Sequence, residues 1–539
     1  MSSPHHFQEK TDYSQHLKFK NFFDLYSAQK NLKGNFLTYY SPYELEISLS
    51  YKDYFIEVEK YLYFLKNELN VAKDETVAVS TGNSYKTLII YSAILLNESI
   101  IVPINTEESK DYTESIMKFS GAKYLFHFNK SQDRNEKHIN INSLQLTKRL
   151  IPTESSQDIN SIATIFYTSG TTGNPKGVQL SIGNLFINSV ATAKLHGVTE
   201  KSSHFTCLPL CHVNAFSFSY LTNLYCGASL VLQKMFTPIN YWKIIKEHQV
   251  NIVSSTPQII NLLNSDLREF DFQQYPELKY FVSASAPLSS FDVETFFKKY
   301  NVRINQAYGL SETVNFSLTI PPTLSQETYN KVMILNSPPS AGSSVFGNSV
   351  EIMDVNSSTI LQENETGELV IRGWNVFNGY LDNETETKIA FRHKYFHTGD
   401  IGYFKIIDNI KFLFISGRIK EIIKRNGQLV YLAEVEAFLK ARITNSTFCV
   451  VGFKNKFTGE ELGIVTEDIA DLKTKAIEKI LMLLPDHKRP KVIIQSEVLR
   501  TSTGKPRRLA MTSLFSDYLN IRIQNNITVF TDILSRNNS

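Results

Sequence analysis

Ile165-Phe-Tyr-Thr-Ser-Gly-Thr-Thr-Gly-Asn-Pro-Lys-Gly-Val178 sets three glycines, four Ser/Thr hydroxyls and one lysine directly behind an apolar, strand-like run. Gly170, Gly173 and Gly177 admit backbone conformations that a Cβ would penalise, so amide N–H groups can approach phosphate oxygens closely. Thr168, Ser169, Thr171 and Thr172 add hydroxyl donors, and Lys176 adds a charge. A Walker loop is excluded by order: it needs Gly-Lys-Ser/Thr in succession, whereas Lys176 follows Pro175 and precedes Gly177. Composition alone would favour an ordinary Gly/Ser/Thr/Pro surface loop for most such segments, so the decision rests on the rest of the chain.

At 539 residues the chain exceeds one compact core, and domains of about 100 to 200 residues make two or more lobes the expectation. Its 56 basic and 53 acidic residues leave a formal charge of +3 with no concentrated basic stripe, so there is no electrostatic case for nucleic acid. Four cysteines are too few for a disulfide scaffold, and the opening Met-Ser-Ser-Pro-His-His lacks an apolar signal core; together they point to a reducing, cytoplasmic setting. Cys207 and Cys211 lie close to His204 and His212, but ligands crowded into one stretch, with no second pair to close the site, lack zinc spacing, and small buried thiols are expected instead. The apolar run Ile89 to Leu96 ends at Asn97-Glu98, short of the roughly 20 residues a membrane span needs, and no transmembrane segment is predicted.

From about residue 52 to 310, short apolar runs alternate with helix-length amphipathic segments, which predicts layered α/β architecture with parallel sheets. Ile252-Val-Ser254 precedes the helix-like Pro257 to Leu263, and Tyr280-Phe-Val282 precedes Phe291 to Lys299. Beyond about residue 340 turns and short β runs take over (Ser349 to Met353, Glu368 to Arg372, Lys411 to Ile415), as in a small barrel-like β unit. After Gly417-Arg-Ile-Lys-Glu421 the chain reads as a small α+β lobe: helix Ala433 to Arg442, strand Phe448 to Gly452, helix Leu472 to Leu484, strand Val492 to Gln495. The division expected is a large N-terminal domain over 1–419, a small C-terminal domain over 420–520 and an Asn-rich tail over 521–539.

Thr168-Ser-Gly-Thr-Thr-Gly-Asn-Pro-Lys-Gly177 resembles, almost letter for letter, the phosphate loop of the adenylate-forming superfamily, which includes acyl-CoA synthetases, peptide-synthetase adenylation domains and beetle luciferases. Further segments resemble that family in its own order. Leu208-Pro-Leu-Cys-His212 resembles the stretch whose histidine lies beside the acyl pocket. Ser283-Ala-Ser-Ala-Pro-Leu288, with Ala286, resembles the loop whose backbone meets adenine. Ala307-Tyr-Gly-Leu-Ser-Glu-Thr313 resembles the Tyr-Gly-x-Thr-Glu segment, which implies Tyr308 stacking on the purine, Ser311 at a phosphate and Glu312 anchoring Mg²⁺, a hard cation that takes carboxylate and phosphate oxygens. Gly367 to Gly373 and Asn378-Gly-Tyr-Leu381 lead into His397-Thr-Gly-Asp400, implying that Asp400 takes the ribose hydroxyls. Gly417-Arg-Ile-Lys420 resembles the hinge, with Arg418 at ribose or phosphate and Lys420 as pivot of a mobile C-terminal lobe. Leu499 to Lys505 resembles the terminal loop that carries the lysine of adenylation.

Taken singly, a turn-capping aspartate at 400, a structural His212 and a solvated Gly-Lys-Pro-Arg-Arg turn at 504–508 are the plainer readings; the order of the series changes the weighting. The resemblance covers nearly the whole chain. It implies ATP, Mg²⁺ and coenzyme A, and an acid–thiol ligase joining a fatty or aryl acid to CoA through acyl-AMP, in a setting such as fatty acid metabolism. An acyl carrier protein is the alternative acceptor, and a catalytically idle binding protein the reading from another class. Amino-acid adenylation domains place an aspartate after the histidine segment; Val213-Asn-Ala-Phe-Ser-Phe218 offers none, and Phe216, Phe218 and Tyr220 suggest an uncharged acyl wall. Ala284, Cys211 and Leu432 depart from the family's usual Gly, aromatic residue and Pro.

Overall fold

Runs such as Thr76-Val-Ala-Val-Ser80 and Ile252-Val-Ser-Ser255 are short and β-branched, and capped helices follow them, so the chain winds parallel strands. A computed structural model describes residues 13–128, 137–168, 175–440, 442–443, 447–455, 458–467, 475–500, 506–514 and 530–532. Among these residues the strands form four sheets. The first, of nine strands, has the order Ser343–Ser344, Phe316–Thr319, Arg303–Gly309, Tyr280–Ser283, Ile252–Ser255, Ser203–Thr206, Ser229–Gln233, Asn35–Tyr40, Leu45–Ser50, and is parallel except at its two edges. The second, of six strands, orders His138–Asn140, Tyr124–His127, Thr76–Ser80, Ile100–Pro103, Ile162–Thr168 and Lys176–Ser181, parallel except for its final hairpin. The layered α/β body expected from the sequence is present.

Two helices fill the layer between these sheets. Tyr85–Leu96 starts at Ser84, whose side chain accepts from Lys86 N, and is buried without a break from Thr87 to Leu96. A helix apolar on every side has no solvent face and belongs in a core. Ile182–His196 begins with a reciprocal Ser181/Asn184 capping box and stops at Gly197 in the left-handed region (φ +65°). Tyr91 meets Phe216 edge-on and Ser92 bonds Tyr220, both on the π-helical turn Asn214–Leu221, whose Phe218 reaches His204 of the first sheet. A fully buried large apolar side chain contributes roughly 1.5–3 kcal/mol and an exposed ion pair ~0–1, so this layer, not the surface charges, holds the sheets together. Among the described residues no helix is long and apolar enough to cross a membrane.

The third sheet is antiparallel and has five strands: Asn348–Met353, Gly367–Gly373, Tyr395–Ile407, Phe391–Arg392 and Ile410–Arg418. Among the described residues no backbone ladder closes the sheet on itself. Ala341 N donates to Leu413 O and Leu413 N to Gly342 O, so the backbone of the edge strand Ile410–Arg418 is tied to the segment entering the first sheet, while Lys411 Nζ reaches across to Val350 O at 3.0 Å and to Glu351 on Asn348–Met353.

The fourth sheet begins at Ile422 and orders Gln428–Tyr431, Ile422–Arg425, Gly459–Thr466, Val492–Gln495 and Phe530–Asp532, with Phe448–Asn455 beside Gly459–Thr466. Alternate residues of Phe448–Asn455 feed two cores: Phe448 and Val450 join Leu432, Val435 and Leu439, while Cys449 and Val451 join Val492, Ile494 and Met511. The helix expected over Ala433 to Arg442 runs Leu432–Lys440. Part of the stretch expected as a peripheral tail forms the edge strand Phe530–Asp532, parallel to Val492–Gln495; the Asn-rich surroundings mask a β-prone Thr528-Val-Phe-Thr531 run.

Arg508 pins this lobe from within. Its Nη2 donates to Glu436 Oε2 at 2.5 Å, its Nη1 to Glu421 Oε2 at 2.8 Å and its Nε to Val450 O at 3.2 Å, while Val450 N donates to Glu436 Oε2 at 3.1 Å. Burial alone would raise the Glu436 carboxyl, but Arg508 and Lys440 together outweigh it and pull it down to about 2. A carboxyl depressed in the folded state stabilises above its ordinary value of 4.5, and that contribution disappears as pH falls through about 2. Hydrogen exchange of the Phe448–Asn455 amides should therefore accelerate as pH is lowered through this window, relative to the intrinsic rates. Glu436→Gln should flatten that dependence; an unchanged acid profile in the variant would show that another group sets it.

Candidate active site

Parallel sheets present ligand-binding loops beyond the carboxyl ends of their strands. The loops leaving Ser203–Thr206, Tyr280–Ser283 and Arg303–Gly309 carry three of the sequence segments: Cys207 to His212; Ala284 to Leu288, with Ala286 half-buried and Ser285 at φ +75°; and Ser311-Glu-Thr313. The hairpin Ile162–Thr168/Lys176–Ser181 sets Thr168 opposite Lys176 in register. The tip residues Ser169, Gly170, Thr171, Thr172 and Gly173 lie outside the described residues, as does Lys505. A strand rather than a helix follows the tip, which agrees with the exclusion of a Walker loop.

Glu312 is aimed by a tight reversal. A Cβ at Gly309 would fall 1.4 Å from Asn315 O, so only glycine lets the chain fold back here. Leu310 N donates to Thr313 Oγ1 at 3.0 Å, and Asn315 N donates to Thr313 O at 2.6 Å across Val314, whose φ of +62° and ψ of −51° make the rare γ-turn. A β-branched residue at positive φ is strained. That strain sits directly behind Glu312.

Two buried carboxylates face the crevice. Asp400 accepts from Tyr308 Oη at 2.6 Å and from Arg418 Nε at 2.9 Å; Tyr308 is 92 positions away in sequence, and Arg418 is the register partner of Asp400 across the third sheet. Glu312 accepts from Tyr380 Oη at 2.9 Å. Its carboxyl is raised by burial, against which the Tyr380 hydrogen bond and the charges of Arg418 and Lys176 act. Lys176 Nζ lies 5.3 Å from the Tyr380 ring centroid and pairs with Glu386. Asn378 N donates to Gln179 O and Leu381 N to Gly177 O, so the segment bearing Tyr380 is stitched onto the hairpin.

Thus Tyr308, Asp400 and Arg418 meet directly, and Glu312 and Lys176 meet through Tyr380. Ser311 opens the turn before Glu312, and His212 is half-buried at the entrance to the Asn214–Leu221 turn. Lys420 is exposed in the three-residue turn Ile419–Glu421, between the last strand of the third sheet and the first of the fourth. The described ends of the Lys505 loop are tied by the Arg500–Pro506 bridge and by Arg507 N donating to Leu499 O at 2.8 Å. Tyr380 and Glu386 were not marked as site residues by sequence reasoning; Glu386 reads as one more acid in a Glu-Thr-Glu-Thr helix start. Phe216, Phe218 and Tyr220 do not form one wall: Phe216 and Tyr220 face the Tyr85–Leu96 helix and Phe218 faces the sheet. Cys207 is buried, its thiol pushed up to about 12 by desolvation, whereas Cys211 keeps partial exposure; His204 is committed to Ser254 and Asn223.

Two layered α/β sheets, a hydroxyl- and glycine-rich hairpin at their crevice, and an antiparallel unit adding an aspartate–arginine pair define a nucleotide-dependent ligase architecture. The AMP-binding enzyme profile matches residues 28–381. The 2-succinylbenzoate–CoA ligase of Bacillus licheniformis is 30% identical over 418 residues, covering 76% of this chain and 83% of that protein. The oxalate–CoA ligase of Arabidopsis thaliana is 27% identical over 482 residues, covering 84% and 90%. Against the 2-succinylbenzoate–CoA ligase of Bacillus pumilus the match is 34% over 286 residues, 53% of this chain and about half (55%) of that protein. The o-succinylbenzoate CoA synthetase of Bacillus subtilis, solved with its acyl-adenylate intermediate, shares the fold with a TM-score of 0.79 at 23% identity, covering 92% of this chain and 98% of its own. The chain belongs to the AMP-binding enzyme family. The AMP-forming acid–CoA ligase class and the α/β fold expected from the motifs are borne out, and ATP, Mg²⁺ and CoA are the reactants and metal that this class uses.

A hydrogen bond to a charged group contributes about 1.5–3 kcal/mol. Tyr380→Phe should lower thermal stability by that order, and Glu312→Gln should lower the cost of losing the hydroxyl. In a double-mutant cycle read by thermal melting, the two changes should fall short of additivity by more than ~0.5 kcal/mol; strict additivity would uncouple the pair.

Proposed function

We propose that the chain joins a carboxylic acid, fatty or aryl, to ATP to give acyl-AMP and pyrophosphate, then passes the acyl group to CoA with release of AMP. The observation that carries this reading is the convergence of Tyr308, Asp400 and Arg418 beside Glu312 and Lys176, residues drawn from three sheets onto one crevice. The relatives' names favour CoA over an acyl carrier protein as acceptor. An idle binding protein is disfavoured because these charged groups are intact and clustered. Free thiols at Cys207, Cys211, Cys226 and Cys449 suit a cytoplasmic setting.

In the first step a carboxylate oxygen forms a bond to the α-phosphorus while the bond to the bridging oxygen of pyrophosphate breaks. Reactant and phosphate repel, so the barrier falls only where charge is neutralised in the transition state. Asp400 accepts from the ribose hydroxyls while Arg418 and Tyr308 hold its carboxylate in place. Thr168 and Lys176, with Ser169, Gly170, Thr171, Thr172 and Gly173, cradle the phosphates; Ala286 lies at adenine, Ser311 at a phosphate and His212 beside the acid. Glu312 fits a divalent cation, being buried, raised in pKa and short of full compensation. When bound there, Mg²⁺ supplies charge neutralisation at the phosphate oxygens. Lys505 supplies the donor at the reacting phosphorus. In the second step the CoA sulfur attacks the acyl carbon, and the carbon–oxygen bond to AMP breaks.

We assign residues 1–419 to the nucleotide-binding body and 420–520 to a lid that turns about Lys420, with 521–539 following it and lending the edge strand Phe530–Asp532 to the lid's sheet. The independent cores of the fourth sheet support this division.

Pyrophosphate release across a panel of carboxylic acids, with CoA then compared against a carrier protein, tests the whole reading; turnover of amino acids alone would overturn it. Removing one well-placed donor of this kind costs about 10²- to 10³-fold in rate. Lys505→Ala should lose acyl-AMP formation on that scale while thiol attack on supplied acyl-AMP persists, and equal loss of both steps would refute its role. Proline fixes φ near about −65°. Lys420→Pro should therefore slow thioester formation more than adenylation, and the reverse order would remove the hinge.

A further inference from the structure

The inner face of the first sheet, covered by Ile182–His196 and Asn214–Leu221, is unusually polar for a core. Its groups nonetheless find partners. His204 bonds Ser254 at 2.8 Å and Asn223 at 2.9 Å, Ser219 donates to Ser254 at 3.0 Å, Ser217 donates to Asn188 at 3.1 Å, and Tyr280 Oη donates to His196 O at 2.8 Å. Asn305 breaks the pattern. It has no solvent exposure, and neither its amide nitrogen nor its oxygen finds a partner among the described residues. An unengaged buried amide is costly, a cost that is removed when a partner pairs with it.

Position says what. Asn305 pairs in parallel register with Val282, and so shares the inner face, whereas its neighbour Gln306 turns outward to Leu288 N and Ser340 O. It lies four residues before Gly309, about 13 Å along the strand from the Glu312 turn. On the same face between them stand Ala307, its register partner Thr319 and, on the next strand, Ala284, with Phe218 and Phe316 in ring contact at 5.2 Å packed in the same cluster. The side chain thus closes the far end of a stripe of small residues that starts at the candidate active site.

The charge of the layer selects the chemistry. Burial holds His196 and His204 neutral, pushing both down to about 3. The basic residues of the flanking elements turn away: Lys194 lies over the Phe346 ring, and Arg303 bonds Leu324 O and Gln326. A second carboxylate would enter this layer with no cation to meet it, which is prohibitive; a neutral donor or acceptor would not. We propose that the acid taken by this enzyme carries, toward its far end, a neutral hydrogen-bonding group, a hydroxyl, oxo or amide, that pairs with Asn305. The inference rests on the ligase reading above and names the substrate class of that same site.

Pyrophosphate release is to be compared for straight-chain acids of about four to twelve carbons in three series: unsubstituted, ω-hydroxy and ω-carboxy. At the best-used length the ω-hydroxy acid should exceed the unsubstituted one in kcat/KM by about tenfold or more, because a site built to bond a hydroxyl rejects the analogue lacking it. The diacid should trail both. Asn305→Leu, close in volume, should reverse the first preference and melt no lower than the parent, since it deletes an unengaged amide. A preference unmoved by Asn305→Leu, a preferred diacid, or a clear loss of melting temperature in the variant overturns the assignment of Asn305 and leaves the ligase reading standing. No pyrophosphate release from any acid overturns both.

Discussion

Two carboxylates, Glu312 and Asp400, are kept largely out of water where three sheets meet, and the rest of the site is arranged around that constraint. Each is compensated by a phenol hydroxyl from another part of the chain, Tyr380 for Glu312 and Tyr308 for Asp400. A neutral hydroxyl satisfies lone pairs without cancelling charge, so both acids keep a field that can attract a cation or accept from hydroxyls. Asp400 also has Arg418 directly across the strand pair, whereas Glu312 has charges only at a distance. The asymmetry fits one acid for hydroxyl recognition and the other for a metal.

Holding such groups to fractions of an ångström requires stiffness, and the buried layer provides it. Tyr85–Leu96 and Ile182–His196 are packed on all sides, and their contacts bridge both large sheets, so the hairpin with Lys176 and the loops with His212 and Glu312 ride on one body. The third sheet joins that body through Gly342 and Leu413, which fixes Asp400 relative to Glu312. The fourth sheet is built differently. It carries its own two cores and an Arg508–Glu436–Glu421 cluster built on the buried Glu436, and its link to the third sheet at Lys420 is a single short turn. Arg508 binds Glu421, the residue after Lys420, so the helix start that follows the Lys505 loop and the turn at the link are joined through one guanidinium.

Much of this was legible in the chain. Val492–Gln495 and Ile252–Ser255 fall where alternation of strand and helix puts them, because short β-branched runs bounded by turns have one good solution. Asp400, Arg418, Tyr308 and Glu312 were named from motif order, and the fold brings them together. Tyr380 lay inside a quoted segment, but its bond to Glu312 depends on how the third sheet docks, which no local pattern encodes. Glu386 and Arg508 are long-range ion-pair partners, invisible as anything but surface charges until the strands are in place. Asn305 was hidden for the opposite reason: a polar residue in an apolar strand reads as an interruption, and its lack of partners is a property of the whole layer. The edge pairing of the third sheet with Gly342 could not be read ahead, because it crosses about seventy residues of sequence.

The cations of the site show how an almost neutral chain can handle three anionic reactants. Lys176 and Arg418 are each already paired, with Glu386 and Asp400. Unpaired, they would repel one another and would draw anions indiscriminately into the crevice. Paired, they are held in position, and in the proposed reaction an incoming phosphate would exchange with a carboxylate partner rather than simply add to a positive field. Such exchange yields little net binding in the ground state, because one ion pair replaces another. The gain appears where negative charge grows beyond what a resident carboxylate offers, as it does on a phosphorus under attack by an acid. In the proposed reaction prior pairing would therefore move electrostatic stabilisation from binding toward the reacting state, which is where a ligase of two mutually repelling anions needs it.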